Sequence, residues 1–186
     1  MENYHQADDA ARELEPEQSS KKSPKKKPQL KPENPSRDIR LAAMNLLARR
    51  EHGYQELLTK LGSKFSKSEH HPPELITEQL QILREQGLQS DERFVEAFIN
   101  SKKNSGKGPM VVRQQLQQKG LKSEQITLAL EAVEDQWFAL AQALYERKYQ
   151  GQPIVDHKEK ARRMRFMQSR GFSFDQFIHL LDLAKV

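Results

Sequence analysis

Two stretches of this chain gather base and exclude acid. Residues 101–123 hold Lys102, Lys103, Lys107, Arg113, Lys119 and Lys122 with no Asp or Glu, a local charge of +6. Residues 147–170 hold Arg147, Lys148, Lys158, Lys160, Arg162, Arg163, Arg165 and Arg170 against Asp156 and Glu159, again +6. Lys158, Arg162 and Arg165 recur at spacings of four and three, which on a helix places them on one face, opposite Met164. Neighbouring like charges on a helix repel by a few tenths of a kcal/mol per pair, and an anionic partner removes that cost. Such a face is either simply solvated or a contact surface for DNA phosphate or an acidic protein groove. The candidate partner-binding or DNA-binding residues are therefore Lys102, Lys103, Lys107, Arg113, Lys119, Arg147, Lys148, Lys158, Arg162, Arg165 and Arg170.

Other chemistry finds no support. The chain has no cysteine, which excludes disulfides, thiolate metal sites and cysteine nucleophiles. His70 and His71 are adjacent in a polar stretch, without the spacing that would turn two imidazoles toward one ion. Gly106, Lys107 and Gly108 suggest a phosphate loop, but Gly108 follows the lysine where such a loop needs Ser or Thr. No nucleophile elbow occurs, nor any strand to carry one. The expectation is a protein without catalytic residues, metal ligands or cofactor. Trp137 and Phe138 stand at core spacing, and we expect Trp137 to pack inside rather than stack on bases. Phe166 and Phe172 lie beside arginines and could stack, but the last part of a helical protein needs large apolar residues, so core is the expectation.

The elements that must position these cations follow from the apolar pattern. The 186 residues carry 31 Lys+Arg and 26 Asp+Glu, a net charge of +5, and 35% apolar residues. Residues 1–36 hold seven basic and seven acidic residues and five of the nine prolines. With so little to bury, they are expected to form a disordered charged tail, either a plain solvated leader or a basic arm built on Lys21–Lys31. No apolar run approaches the ~20 residues of a membrane span and no signal peptide is recognised, so a cytoplasmic protein without membrane contact is expected. No long exposed heptad demands a dimer, and a monomer is expected.

From Ser36 onward the apolar residues recur with helical period and nothing alternates with period two. The pattern predicts helices over about 38–50 with Ser36 as cap, over 54–61 ending at Gly62, and over 73–86. Further helices are expected over about 90–104, over 109–119, and as one long helix capped by Ser123 and running to Tyr149. Asp156 with Glu159 and Ser173 with Gln176 resemble capping boxes for two last helices. Short helices after Gly53, Gly108 and Gly171, each preceded by basic residues, suggest a repeat. The predicted organisation is all-α, with a tail over 1–36 and three helical repeats over 37–89, 90–151 and 152–186.

Several stretches together resemble the RecX family of bacterial regulators of the RecA recombinase. They are Asp91, Arg93, Phe94 and Phe98; Gly106 to Pro109 with Arg113, Leu116 and Lys119 to Leu121; Glu146 to Tyr149 with Gly151; and Arg165, Phe166 and Arg170 to Phe172. They occur in family order over residues 37–186. Gln115 and Lys102 depart from the pattern, where Glu and Arg are frequent. The resemblance implies three tandem three-helix repeats in an elongated, curved arrangement and no enzymatic activity. It also implies a regulator that binds RecA and lodges in the groove of its nucleoprotein filament. Such a regulator suppresses ATP hydrolysis, coprotease action and strand exchange, in the control of DNA repair, homologous recombination and the SOS response. Single- or double-stranded DNA is a second candidate partner. The alternative is a helix-turn-helix-like DNA-binding protein that acts without RecA.

Overall fold

A computed structural model describes residues 34–182. The expected disordered tail lies outside the described residues, except for 34–36. Pro35 and Ser36 already belong to the first helix, because the Asn34 side chain rather than Ser36 caps it, accepting from the Arg37 amide at 3.0 Å, and Pro35 is preset for the first turn. The described residues form helices and their links, with no strand among them.

The first unit comprises α1 (Pro35–Leu47), α2 (Tyr54–Phe65) and α3 (Pro73–Glu85), packed around Ile39, Ala43, Leu57, Leu61, Leu80 and Leu83, all fully buried. Gly62 does not end α2 as expected. A mid-helix glycine costs only about 1 kcal/mol relative to alanine, and Leu61 and Phe65 on either side pack against the same core.

The second unit comprises α4 (Asp91–Asn104), α5 (Pro109–Gln118) and α6 (Ser123–Glu131) around Phe94, Ile99, Val112, Leu116 and Ile126. The expected long helix over 123–149 is broken. It ends as α6 at Glu131 and restarts as α7 (Glu134–Tyr149). At the break the chain tightens, and the buried Trp137 indole Nε1 donates to the Leu130 carbonyl at 3.4 Å. Because the apolar period passes through 130, 133, 137 and 140 without interruption, periodicity alone does not show the break.

The third cluster is formed by α7, α8 (His157–Arg170) and α9 (Phe174–Phe177), the last followed by a 3-10 turn (Ile178–Leu180). Four of the five buried α7 residues, Ala141, Leu144, Tyr145 and Tyr149, belong to this cluster, whereas Trp137 reaches back into the second. Gly171 consequently precedes the third helix of its unit, not the second as the expected repeat register had it. Phe172 is buried with Met167 and Phe177, as expected, and Phe166 packs partly against them. Half of the first expected capping box is present: the Asp156 side chain accepts from the Glu159 amide at 2.6 Å, while the Glu159 carboxylate turns to Arg162 and Arg163.

Polar contacts join the first two units. Asp91 at the start of α4 accepts from the Tyr54 amide at 2.8 Å, so a side chain of the second unit caps α2 of the first. Gln89 bridges the same Asp91 oxygen and the His52 carbonyl, and Arg93 pairs with Glu51 at 2.8 Å. His52 is buried here, its Nδ1–H donating to the Arg50 carbonyl at 3.0 Å. Burial disfavours its charged form and pulls its pKa below the ordinary 6.5. The unfolded chain then binds the extra proton more readily, so His52 stabilises the fold fully above about pH 6.5 and progressively less below it. Proton NMR should show the His52 ring titrating below 6.5, and a midpoint at or above that value contradicts the placement.

A basic surface at the junctions of the helical units

The second and third units meet through backbone. The Gly108 amide donates to the Arg170 carbonyl at 2.8 Å and the Met110 amide to the Gly171 carbonyl at 3.0 Å. The approach demands glycine on both sides. A Cβ on Gly108 would lie 2.4 Å from the Gly171 oxygen, and Gly171 adopts φ +90°, with its own Cβ position 2.6 Å from Val111. This clasp sets the basic exit of α4 against the basic C-terminal turn of α8. Lys107 thereby lies one residue from the clasp, Arg170 is part of it, and the Arg147 guanidinium of α7 runs alongside Gly106.

Aromatic rings hold this cluster in shape. Lys148 Nζ stands 4.4 Å from the Phe166 centroid and Arg170 Cζ 5.3 Å from it, while Tyr149 meets Phe166 edge-on at 6.0 Å. A cation over a ring face is held electrostatically while its charge remains directed to solvent. Lys107, Arg147, Lys148 and Arg170 therefore form one positively charged patch drawn from three elements.

The other candidates are placed differently. Lys102 and Lys119 belong to the junction of the first two units. Lys102 lies 4.8 Å from the Phe98 centroid, and Lys119 lies 5.8 Å from both Phe94 and Phe98 and pairs with Glu56 at 3.5 Å. Arg50 reaches the same carboxylate at 2.5 Å. Burial alone would push Glu56 up, but the Arg50 hydrogen bond and the charges of Lys119 and Arg50 outweigh it and hold the carboxyl below its usual range. Lys119 thus fastens two units together. Arg113 donates to Thr127 at 2.7 Å and ties α5 to α6, and Lys103 bonds Gln136.

On α8 the expected stripe is partly neutralised. Lys158 and Arg165 are exposed, but Arg162 pairs with Glu159 at 2.6 Å. Hydrogen bonds from Arg162 and then Arg163 hold the Glu159 carboxyl below its usual range. Arg163, absent from the candidate set, is 2% exposed and donates to Glu159, Tyr145, Gln152 and Pro153. Its position four residues before the buried Met167 marks it as inward-facing, a signal hidden by the arginines around it. Asp91 as a cap for α2 has no comparable signal, since its partner lies 37 residues away.

Among the described residues no group of three or more His, Cys, Asp or Glu could hold a metal, and no helix is long and apolar enough to cross a membrane.

Comparison with known proteins agrees with this architecture. The family description "RecX, second three-helix domain" matches residues 90–130, and "RecX, third three-helix domain" matches residues 134–178. The two spans meet across the break between α6 and α7. The regulatory protein RecX of Pseudomonas fluorescens Pf-5 is 40% identical over 144 residues, covering 77% of this chain and 90% of that protein. Those of Pseudomonas syringae pv. tomato and Ectopseudomonas mendocina are 41% and 40% identical over 144 and 143 residues, with 90% and 92% of each protein covered. The crystal structure of RecX from Lactobacillus salivarius superposes with a TM-score of 0.65 at 21% identity, over 79% of this chain and 94% of that one, and shows the common fold. With 40% identity along nearly the whole of its relatives and the second and third helical units matched in order, this chain belongs to the RecX family of regulatory proteins.

Proposed function

We propose that this protein binds the RecA nucleoprotein filament and restrains its ATP hydrolysis, coprotease action and strand exchange. It does so without chemistry of its own, as a cytoplasmic monomer. The observation that supports this most is the patch of Lys107, Arg147, Lys148 and Arg170, in which the Gly108–Gly171 clasp brings Lys107 to the cations of the third unit. A polyanionic filament offers such a patch repeated partners, and several helical units in series make many moderate contacts rather than one deep one. We also place the unit boundaries at 34–89, 90–131 and 134–182, following the buried clusters. The remaining candidates divide on this reading. Lys158 and Arg165 add field at the rim, whereas Lys102, Lys103, Lys119 and Arg113 hold helices and units in place.

A ligand that favours one filament state shifts the equilibrium by its difference in affinity between the states. The test is RecA-dependent ATP hydrolysis on single-stranded DNA, titrated with this protein. The expected result is inhibition at or below equimolar ratios to RecA, with no saturation of naked DNA at those concentrations. Unchanged hydrolysis contradicts the proposal. Inhibition only where the protein coats naked DNA supports the helix-turn-helix alternative instead.

A further inference from the structure

The first unit carries a second basic feature, one without a counterpart in the patch described above. Between α1 and α2 lies an open groove of about 680 Å³. Half-buried Leu46 supplies the apolar part of its floor, over the buried Ala42 and Leu61. Arg49 stands on one rim, and Lys60 and Lys64, one turn apart on α2, stand on the other; no Asp or Glu lines it. The nearby acids are already engaged, Glu56 by Arg50 and Lys119 and Glu51 by Arg93. Among the described residues no carboxylate forms an ion pair with Arg49, Lys60 or Lys64. Lys60 and Lys64 repel each other at i,i+4 spacing, a cost that a bound carboxylate relieves.

We infer that this groove is a docking site for an acidic amphipathic helix of a partner protein. Charge complementarity selects an acidic occupant, because cations face each other across the groove. The floor selects a protein segment over nucleic acid. Phosphate gains nothing from aliphatic carbon, whereas a helix laying an apolar stripe between two helices buries it there and sets carboxylates against both rims. The lining runs from Ala42 to Arg49 on one side and from Lys60 to Lys64 on the other, about 10 Å at its longest, room for roughly two turns of such a helix. The groove shares no residue with the patch assigned to the filament, so its occupant is read out without RecA.

The experiment uses the full chain and a fluorescent fifteen-residue helical peptide of Glu, Leu and Ala, with Leu on one face and Glu at i,i+4 on its flanks. Fluorescence anisotropy should show saturable binding. Lys60→Glu with Lys64→Glu should weaken it by about tenfold or more, and Lys60→Gln with Lys64→Gln by a smaller factor, with unchanged helical circular dichroism. Replacing Glu by Gln, or Leu by Ser, in the peptide should each cost several-fold. An oligothymidylate of equal length should not displace it. Three results overturn the inference: no saturable binding, equal binding by the parent and Leu-to-Ser peptides, or displacement by the oligonucleotide, which would make the groove a phosphate site.

Discussion

Replacing Trp137 with alanine is expected to destabilise the protein by about 3 to 5 kcal/mol. The indole is 1% exposed and sits among Phe94, Leu116, Ile126 and Leu130 although it belongs to α7, whose other buried residues serve the third cluster. The substitution therefore opens a cavity in the second core and loosens the connection between the second and third units. It also frees the Leu130 carbonyl at the break. Against a total of roughly 5 to 15 kcal/mol for a typical domain, such a loss is severe. Chemical denaturation followed by circular dichroism checks it, and Trp137→Phe should cost much less because it retains most of the apolar volume. A loss below about 1 kcal/mol for the alanine variant would place the indole at the surface.

Arg163→Ala is expected to cost about 1 to 3 kcal/mol, as leaving part-buried acceptors without their donor does. The guanidinium donates to Glu159 at 2.7 Å, to Tyr145 and the Gln152 carbonyl at 2.9 Å each and to the Pro153 carbonyl at 3.3 Å, and lies 4.3 Å from the Tyr149 centroid. Removing it leaves the tyrosine oxygen and two carbonyls of the α7–α8 link without their donor. The neighbouring Arg162→Ala removes only an exposed ion pair and should leave the thermal transition nearly unchanged. Comparing the two thermal transitions separates a structural from a solvated arginine two positions inside one basic run. Equal, small effects would contradict the buried role.

These two residues also show what the sequence discloses and what it does not. The placement of Trp137 in a core was legible because helical spacing reports burial directly, and the helices flanked by Pro73, Gly108–Pro109 and Ser90 were legible because their start signals are local. The break at 132–133 was not. Trp137 packs back across it into the second core and bonds the Leu130 carbonyl, while the apolar period runs through unbroken. The site was legible as composition but not as geometry. Charge runs identified Lys107, Arg147, Lys148 and Arg170 together with seven others, yet only the Gly108–Gly171 contact, 63 residues apart in the chain, and the shared Phe166 ring show which of them meet. The same runs concealed that Arg163 is buried, that Arg162 is ion-paired and that Lys119 belongs to a clamp with Glu56 and Arg50.

The claim that the junction patch carries the interaction is tested most directly by equilibrium binding of the labelled protein to RecA filaments across a range of salt concentrations, for the parent and for Arg147→Glu with Lys148→Glu. Both side chains are exposed, so the thermal transition should be nearly unchanged. The expected result is an affinity reduced by about tenfold or more and a shallower dependence on salt, since fewer counterions are released on binding. An unchanged affinity with the same salt slope would contradict the account.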